Sequence, residues 1–183
     1  FLHALHRRFL HALDSKQDSF DFAVIEHLRV SGVYWALCAM ELLGDGDAFP
    51  KSEIVEYTLS CFDAARGGFG GNVGHDAHLL YTLSALQVLA LCEALDRIPD
   101  REAVVRFVVG LQQEDGSFCG DEWGEVDTRF SYCALCSLAL LGELDKVDVK
   151  RAVSYVHACR AFDGSFGAVV GAESHAGQVF CCV

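Results

Sequence analysis

Proline is scarce in this sequence: two among 183 residues. Few helices need therefore be broken by it, and with 52% hydrophobic residues the chain is globular and not disordered. Basic residues are also in short supply, with 14 Lys and Arg against 26 Asp and Glu and a formal net charge of −12. That balance excludes binding to nucleic acid through its phosphates and opposes attraction to an anionic membrane. No apolar run approaches a bilayer span; stretches such as 134–141 stop well short of about 20 residues. A secretory leader is missing as well, and the chain opens on Phe1, so its native start is expected to lie upstream.

Cysteine, by contrast, is plentiful, with nine residues. Cys38, Cys92, Cys133, Cys136 and Cys159 fall inside apolar helical patterns, where a reduced thiol acts as a small hydrophobe. Cys133 and Cys136 have metal-ligand spacing, yet no second Cys pair or His pair accompanies them, so no metal ligand is assigned. A reducing cytoplasm fits this usage.

The main signal is repetition. Residues 59–70, 109–120 and 156–167 share one pattern that ends in Gly-Gly-Phe or Gly-Ser-Phe, placing Phe69, Phe118 and Phe166 at intervals of 49 and 48. Turns are expected near 66–71, 115–120 and 163–168, with glycine supplying positive φ and the phenylalanine plugging the hairpin. Each turn follows a helix, over about 52–62, 100–113 and 148–160, the last two with Asp100 and Asp148 as caps. More apolar helices are expected over about 28–43, 76–95 and 127–141, two of them closed by Gly44 and Gly142. Residues 173–183 look like the start of another, cut mid-element.

Alternating amphipathic and apolar helices predict an all-α protein with an outer and an inner layer, either an open solenoid or a closed α/α toroid. Ser31, His78, Arg129 and His175 fall early in the inner helices at a similar phase. Each alone reads as capping or packing; together they outline the mouth of a shared cavity.

These strings resemble the β subunits of protein prenyltransferases. Residues 28–35 (LRVSGVYW), 74–85 (GHDAHLLYTLSA), 123–133 (WGEVDTRFSYC) and 173–177 (ESHAG) resemble the type II branch, which geranylgeranylates Rab GTPases. The similarity runs from about residue 20 to the end. It implies an α/α toroid, incomplete over residues 1–183, that pairs with a helical-repeat α subunit. The implied reaction moves a geranylgeranyl group from its diphosphate to C-terminal cysteines of a Rab GTPase presented by an escort protein. By the same resemblance, His175, with Ala176 and Gly177, contacts the diphosphate, and Arg129 lines the cavity. Ser31, Tyr34 and Leu83 surround the isoprenoid pocket, with small Ser31 leaving room for a twenty-carbon chain. The family's zinc is held by Asp, Cys and His of later hairpins, so these 183 residues are expected to be inactive alone.

Three alternatives stand beside this. A farnesyl or type I geranylgeranyl subunit is opposed by Ser31 and Leu83, where farnesyl enzymes carry bulky aromatics. A terpenoid cyclase needs an Asp-x-Asp-Asp acid, and Asp45-Gly-Asp47 is followed by Ala-Phe. A non-enzymatic helical-repeat scaffold would need only exposed loops.

Overall fold

The computed structural model describes residues 1–14 and 20–183. Among the described residues, four outer helices, α1 (His3–Asp14), α4 (Lys51–Ser60), α6 (Arg101–Gly110) and α8 (Val149–Ala158), alternate with four inner ones. The inner helices are α3 (Arg29–Leu42), α5 (Leu79–Leu91), α7 (Thr128–Leu140) and α9 (Ala176–Cys182), with short α2 (Phe20–Val24) inside the first unit. The outer helices start at residues 3, 51, 101 and 149, which makes α1 a fourth copy that the phenylalanine pattern does not reveal. Its first unit carries no Gly-Gly-Phe turn to mark it.

Consecutive inner helices pack side by side, α3 on α5, α5 on α7 and α7 on α9. Helices α4 and α6 each wedge between two of them. One buried cluster joins Val30 of α3, Val55 of α4 and Leu86 and Leu89 of α5; the next joins Leu83 of α5, Val108 of α6 and Phe130, Ala134 and Leu138 of α7. The near-total burial of α5, from Thr82 to Leu86, explains why its sequence shows no amphipathic stripe.

Asp100 and Asp148 cap α6 and α8 as expected, each accepting a backbone N–H three residues on. The inner helix predicted to begin near residue 76 begins instead at Leu79, capped by His78. The hairpin turns contain slivers of antiparallel pairing that the helical reading did not foresee: β1 (Phe62–Asp63) with β2 (Gly68–Phe69), and isolated bridges Gln112 to Phe118 and Arg160 to Phe166. Phe69 and Phe118 are fully buried, whereas Phe166 is half-buried. The difference lies in what abuts each turn. A Cβ on Gly67 would lie 2.8 Å from the Ala103 carbonyl of α6, and one on Gly116 2.4 Å from the Arg151 carbonyl of α8; Gly164 faces only the Arg160 side chain.

The inner helices end alike. Gly44, Glu93 and Gly142 all take positive φ (71°, 55° and 67°), and the next amide reaches back five residues to a helix carbonyl. Glu93 carries a side chain where its counterparts carry none, at a cost of roughly 1–2 kcal/mol for left-handed backbone, part of which glycine's greater unfolded entropy offsets. Glu93→Gly should therefore raise stability by about 0.5–1 kcal/mol, read as a higher denaturation midpoint.

Candidate substrate-binding site at the rim of the inner helices

The N-termini of the inner helices are built to one plan. His78, Asp127 and His175 occupy equivalent positions, all in extended backbone, and each side chain accepts the amide two residues on, at 3.1, 2.8 and 2.9 Å. An amide at the first or second helical residue then donates to a carbonyl of the following repeat: Val30 to Gly71 at 3.0 Å, Leu79 to Gly120 at 2.8 Å and Thr128 to Ala168 at 2.8 Å. This ladder staples neighbouring hairpins along one rim and satisfies amides that a helix start otherwise leaves orphaned. It demands close approach, since a Cβ on Gly71 would sit 1.8 Å from the His27 carbonyl oxygen.

Histidine as a cap fixes its own chemistry. Nδ1 of His175 accepts from the Gly177 amide, so Nδ1 bears no proton and the neutral ring carries its hydrogen on Nε2. The imidazole thus presents Nε2 at the rim, free of the capping bond. His78 is arranged likewise, with its ring against Tyr81 and Phe130. Burial pushes its pKa below the usual histidine value. Because the folded state binds the proton less readily than the unfolded state, stability is whole above about pH 6.5 and falls as pH drops through that value. His78→Asn keeps a cap acceptor without the titration. The loss of denaturation midpoint between pH 7 and pH 5.5 should be smaller in this variant than in the parent; an equal loss would place the proton elsewhere.

Asp127 is the one buried charged residue among the described residues. One carboxylate oxygen caps α7 through the Arg129 amide at 2.8 Å and also accepts from Gln178 Nε2 of α9 at 3.4 Å. The other pairs with Arg129 Nη2 at 2.8 Å. Asp127 therefore links Arg129, whose side chain stays largely exposed, to the helix that begins at His175. The clue to its hub role in the sequence was its spacing of 49 from His78 and 48 from His175.

Ser31, Tyr34 and Leu83 lie on adjoining helices but not on one open surface. Ser31 is buried with its Oγ 2.9 Å from Ser84 Oγ of α5, and Leu83 is buried in the α5–α7 cluster. Tyr34 is half-buried, its hydroxyl accepting from Gln87 Nε2 at 3.1 Å, and burial pushes its pKa up to about 12. No hydrogen bond or ion pair joins these three to His175, Ala176, Gly177 or Arg129 among the described residues.

No group of three or more His, Cys, Asp or Glu among the described residues is arranged to hold a metal ion. Cys133, buried in α7, has its pKa pushed up to about 12 by burial and then by Cys181 and Cys136. A thiol held protonated is a poor metal ligand. These residues do not fit a zinc site. Nor is any helix of the described residues long and apolar enough to cross a membrane.

Stacked hairpins with a capped inner rim define a class of helical barrel proteins. The sequence matches the prenyltransferase alpha-alpha toroid domain over residues 1–183, and the chain belongs to that family. The geranylgeranyl transferase type-2 subunit beta of Saccharomyces cerevisiae is 48% identical over 180 residues, covering 97% of this chain and 55% of that protein. The subunit of the same name from Candida albicans is 42% identical over 175 residues, 90% of this chain and 51% of that one. The chain thus spans about half the length of these curated relatives. Among solved structures, Candida albicans protein geranylgeranyltransferase-I complexed with GGPP superposes with a TM-score of 0.75 at 19% identity. That match covers 84% of this chain and 47% of that one, and it speaks for the fold alone.

Proposed function

We propose that residues 1–183 form a partial toroid domain of a Rab geranylgeranyltransferase β subunit. The whole protein transfers a geranylgeranyl group from its diphosphate to C-terminal cysteines of Rab GTPases. The observation that carries this reading is the 48% identity extending over 97% of the chain to a type-2 subunit. In it, the α subunit is the partner, the Rab arrives on an escort protein, and the enzyme works in the cytoplasm. The repeat turns near 66–71, 115–120 and 163–168 delimit its units. Zinc would belong to the whole enzyme, where it would activate the acceptor thiol, and none of the described residues fits its site.

Within the chain, His175 donates Nε2–H to the diphosphate, with Ala176 and Gly177 admitting close approach. Arg129 adds its charge, oriented by Asp127. Ser31 acts on the lipid pocket through helix spacing. Its small side chain lets α3 and α5 close on the Ser31–Ser84 hydrogen bond, and Tyr34 and Leu83 then set the depth available to the chain.

The test is a transfer assay on the longer polypeptide, co-expressed with its α subunit and supplied with a Rab and escort protein. Faster transfer from the twenty-carbon than from the fifteen-carbon diphosphate is expected. Equal rates, or transfer to a CaaX peptide without escort protein, would favour the farnesyl or type I reading.

A further inference from the structure

Helices α3 and α5 are joined by two polar rungs one turn apart. Ser31 Oγ lies 2.9 Å from Ser84 Oγ, and Gln87 Nε2 donates to the Tyr34 hydroxyl at 3.1 Å. Ser31 and Tyr34 stand three residues apart on α3, as do Ser84 and Gln87 on α5, so both rungs share one register. The first rung is buried and the second half-buried. Stacking of inner helices does not require such rungs. Helices α5 and α7 pack through an apolar cluster that includes Leu79, Leu83, Phe130 and Leu138, with no side-chain hydrogen bond between them among the described residues. Their caps, His78 and Asp127, are 49 residues apart, and that spacing puts Cys133 and Cys136 of α7 where α5 carries Ser84 and Gln87. Gln87 is also the one side-chain amide of α5. Thr82 serves its own hairpin by accepting the Phe69 amide at 3.0 Å, whereas Gln87 reaches across to α3.

We infer that Gln87 is a positioning residue for lipid length: its amide pins the Tyr34 ring, and the pinned ring keeps the pocket deep enough for a twenty-carbon chain. The inference rests on the geranylgeranyltransferase reading, in which Tyr34 and Leu83 set that depth. The physical reason lies in the phenol. A hydroxyl taken partly out of water needs a partner, and Gln87 supplies one between the helices. Without that amide the hydroxyl turns toward solvent, and the ring turns with it into another rotamer. The ring then takes space that the far end of the longer chain needs, whereas a fifteen-carbon chain stops short of it. Leu83, one turn before Gln87 and only 3% exposed, is packed too closely to yield that space back.

The experiment uses the longer β polypeptide with its α subunit and measures dissociation constants for the fifteen- and twenty-carbon diphosphates by fluorescence titration, with a melting temperature for each variant. Gln87→Met keeps length and volume but has no donor. Gln87→Glu accepts from the Tyr34 O–H and so keeps the rung with its direction reversed. Gln87→Met should lower the preference for the twenty-carbon donor about three- to tenfold, the loss expected for one neutral hydrogen bond. Gln87→Glu should hold the preference near the parent's. On a Tyr34→Phe background Gln87→Met should change nothing further, since no hydroxyl is left to hold. If Gln87→Met melts lower yet keeps the parent's preference, the rung is only a tie between helices and the inference is overturned. An equal drop on the Tyr34→Phe background overturns it too, because Gln87 would then meet the lipid itself. A parent that binds both diphosphates alike overturns the geranylgeranyltransferase reading and the inference together, so the two failures are told apart by the parent alone.

Discussion

Asp127→Ala should destabilise the chain by about 2–4 kcal/mol, the largest loss expected from any polar substitution in it. Three contacts go with the carboxylate, and their sizes differ. Removing the α7 cap costs about 1 kcal/mol. Stranding the buried Gln178 amide adds roughly 1–3 kcal/mol. The ion pair adds little, since Arg129 is 44% exposed along its side chain and water replaces the lost partner. For a domain of this size the melting temperature should fall by roughly 5–15 °C. Asp127→Asn keeps both a cap acceptor and an acceptor for Gln178 and should recover most of the loss. A double-mutant cycle with Arg129→Ala then isolates the ion pair, with a coupling expected below about 1 kcal/mol. A coupling larger than the cap term would mean that the pair, and not the capping network, holds α7 to α9.

His175→Ala in the longer heterodimer should weaken geranylgeranyl diphosphate binding about ten- to a hundredfold, the equivalent of roughly 1.5–3 kcal/mol for a hydrogen bond to a charged group. The cap geometry explains why the imidazole is ready to donate: with Nδ1 occupied by the Gly177 amide, the only ring hydrogen sits on Nε2. Alanine removes the donor and the cap together, so a second variant separates them. His175→Asn retains a capping acceptor and should keep the melting temperature near the parent while still losing affinity. Titration of the diphosphate by fluorescence or calorimetry checks both. Unchanged dissociation constants in two folded variants would remove His175 from the site and leave it a helix cap like His78.

The period of 48 to 49 residues was plain in the sequence because each turn needs the same glycine and the same plug. Phe69, Phe118 and Phe166 each meet a bridge or strand partner at the same place. Caps of the Asp100 and Asp148 kind were legible because they act within three residues. The first outer helix was not legible, since α1 has no Gly-Gly-Phe turn behind it and its stripe of Leu2, Leu5, Phe9 and Leu13 resembles any surface helix. The candidate site divided in the same way. Ser31, Arg129 and His175 stood out at repeated phases, whereas the burial of Ser31 and Leu83 between helices was not legible.

What the sequence determined alone was therefore local and periodic: helix type, turn positions, most caps, and the acidic balance of charge. Tertiary structure decided which periodic positions meet. Asp127 became a hub only because α9 packs against α7 and brings Gln178 within 3.4 Å. The carbonyls of Gly71, Gly120 and Ala168 became partners for helix starts only because successive hairpins stack in one direction. Both are contacts between residues some 40 to 50 positions apart. Hydrophobic periodicity specifies which face of a helix is buried, but that burial energy is non-directional and does not name the neighbour. The neighbour is chosen when the faces of successive helices are packed to close density, and the directional hydrogen bonds then lock that choice.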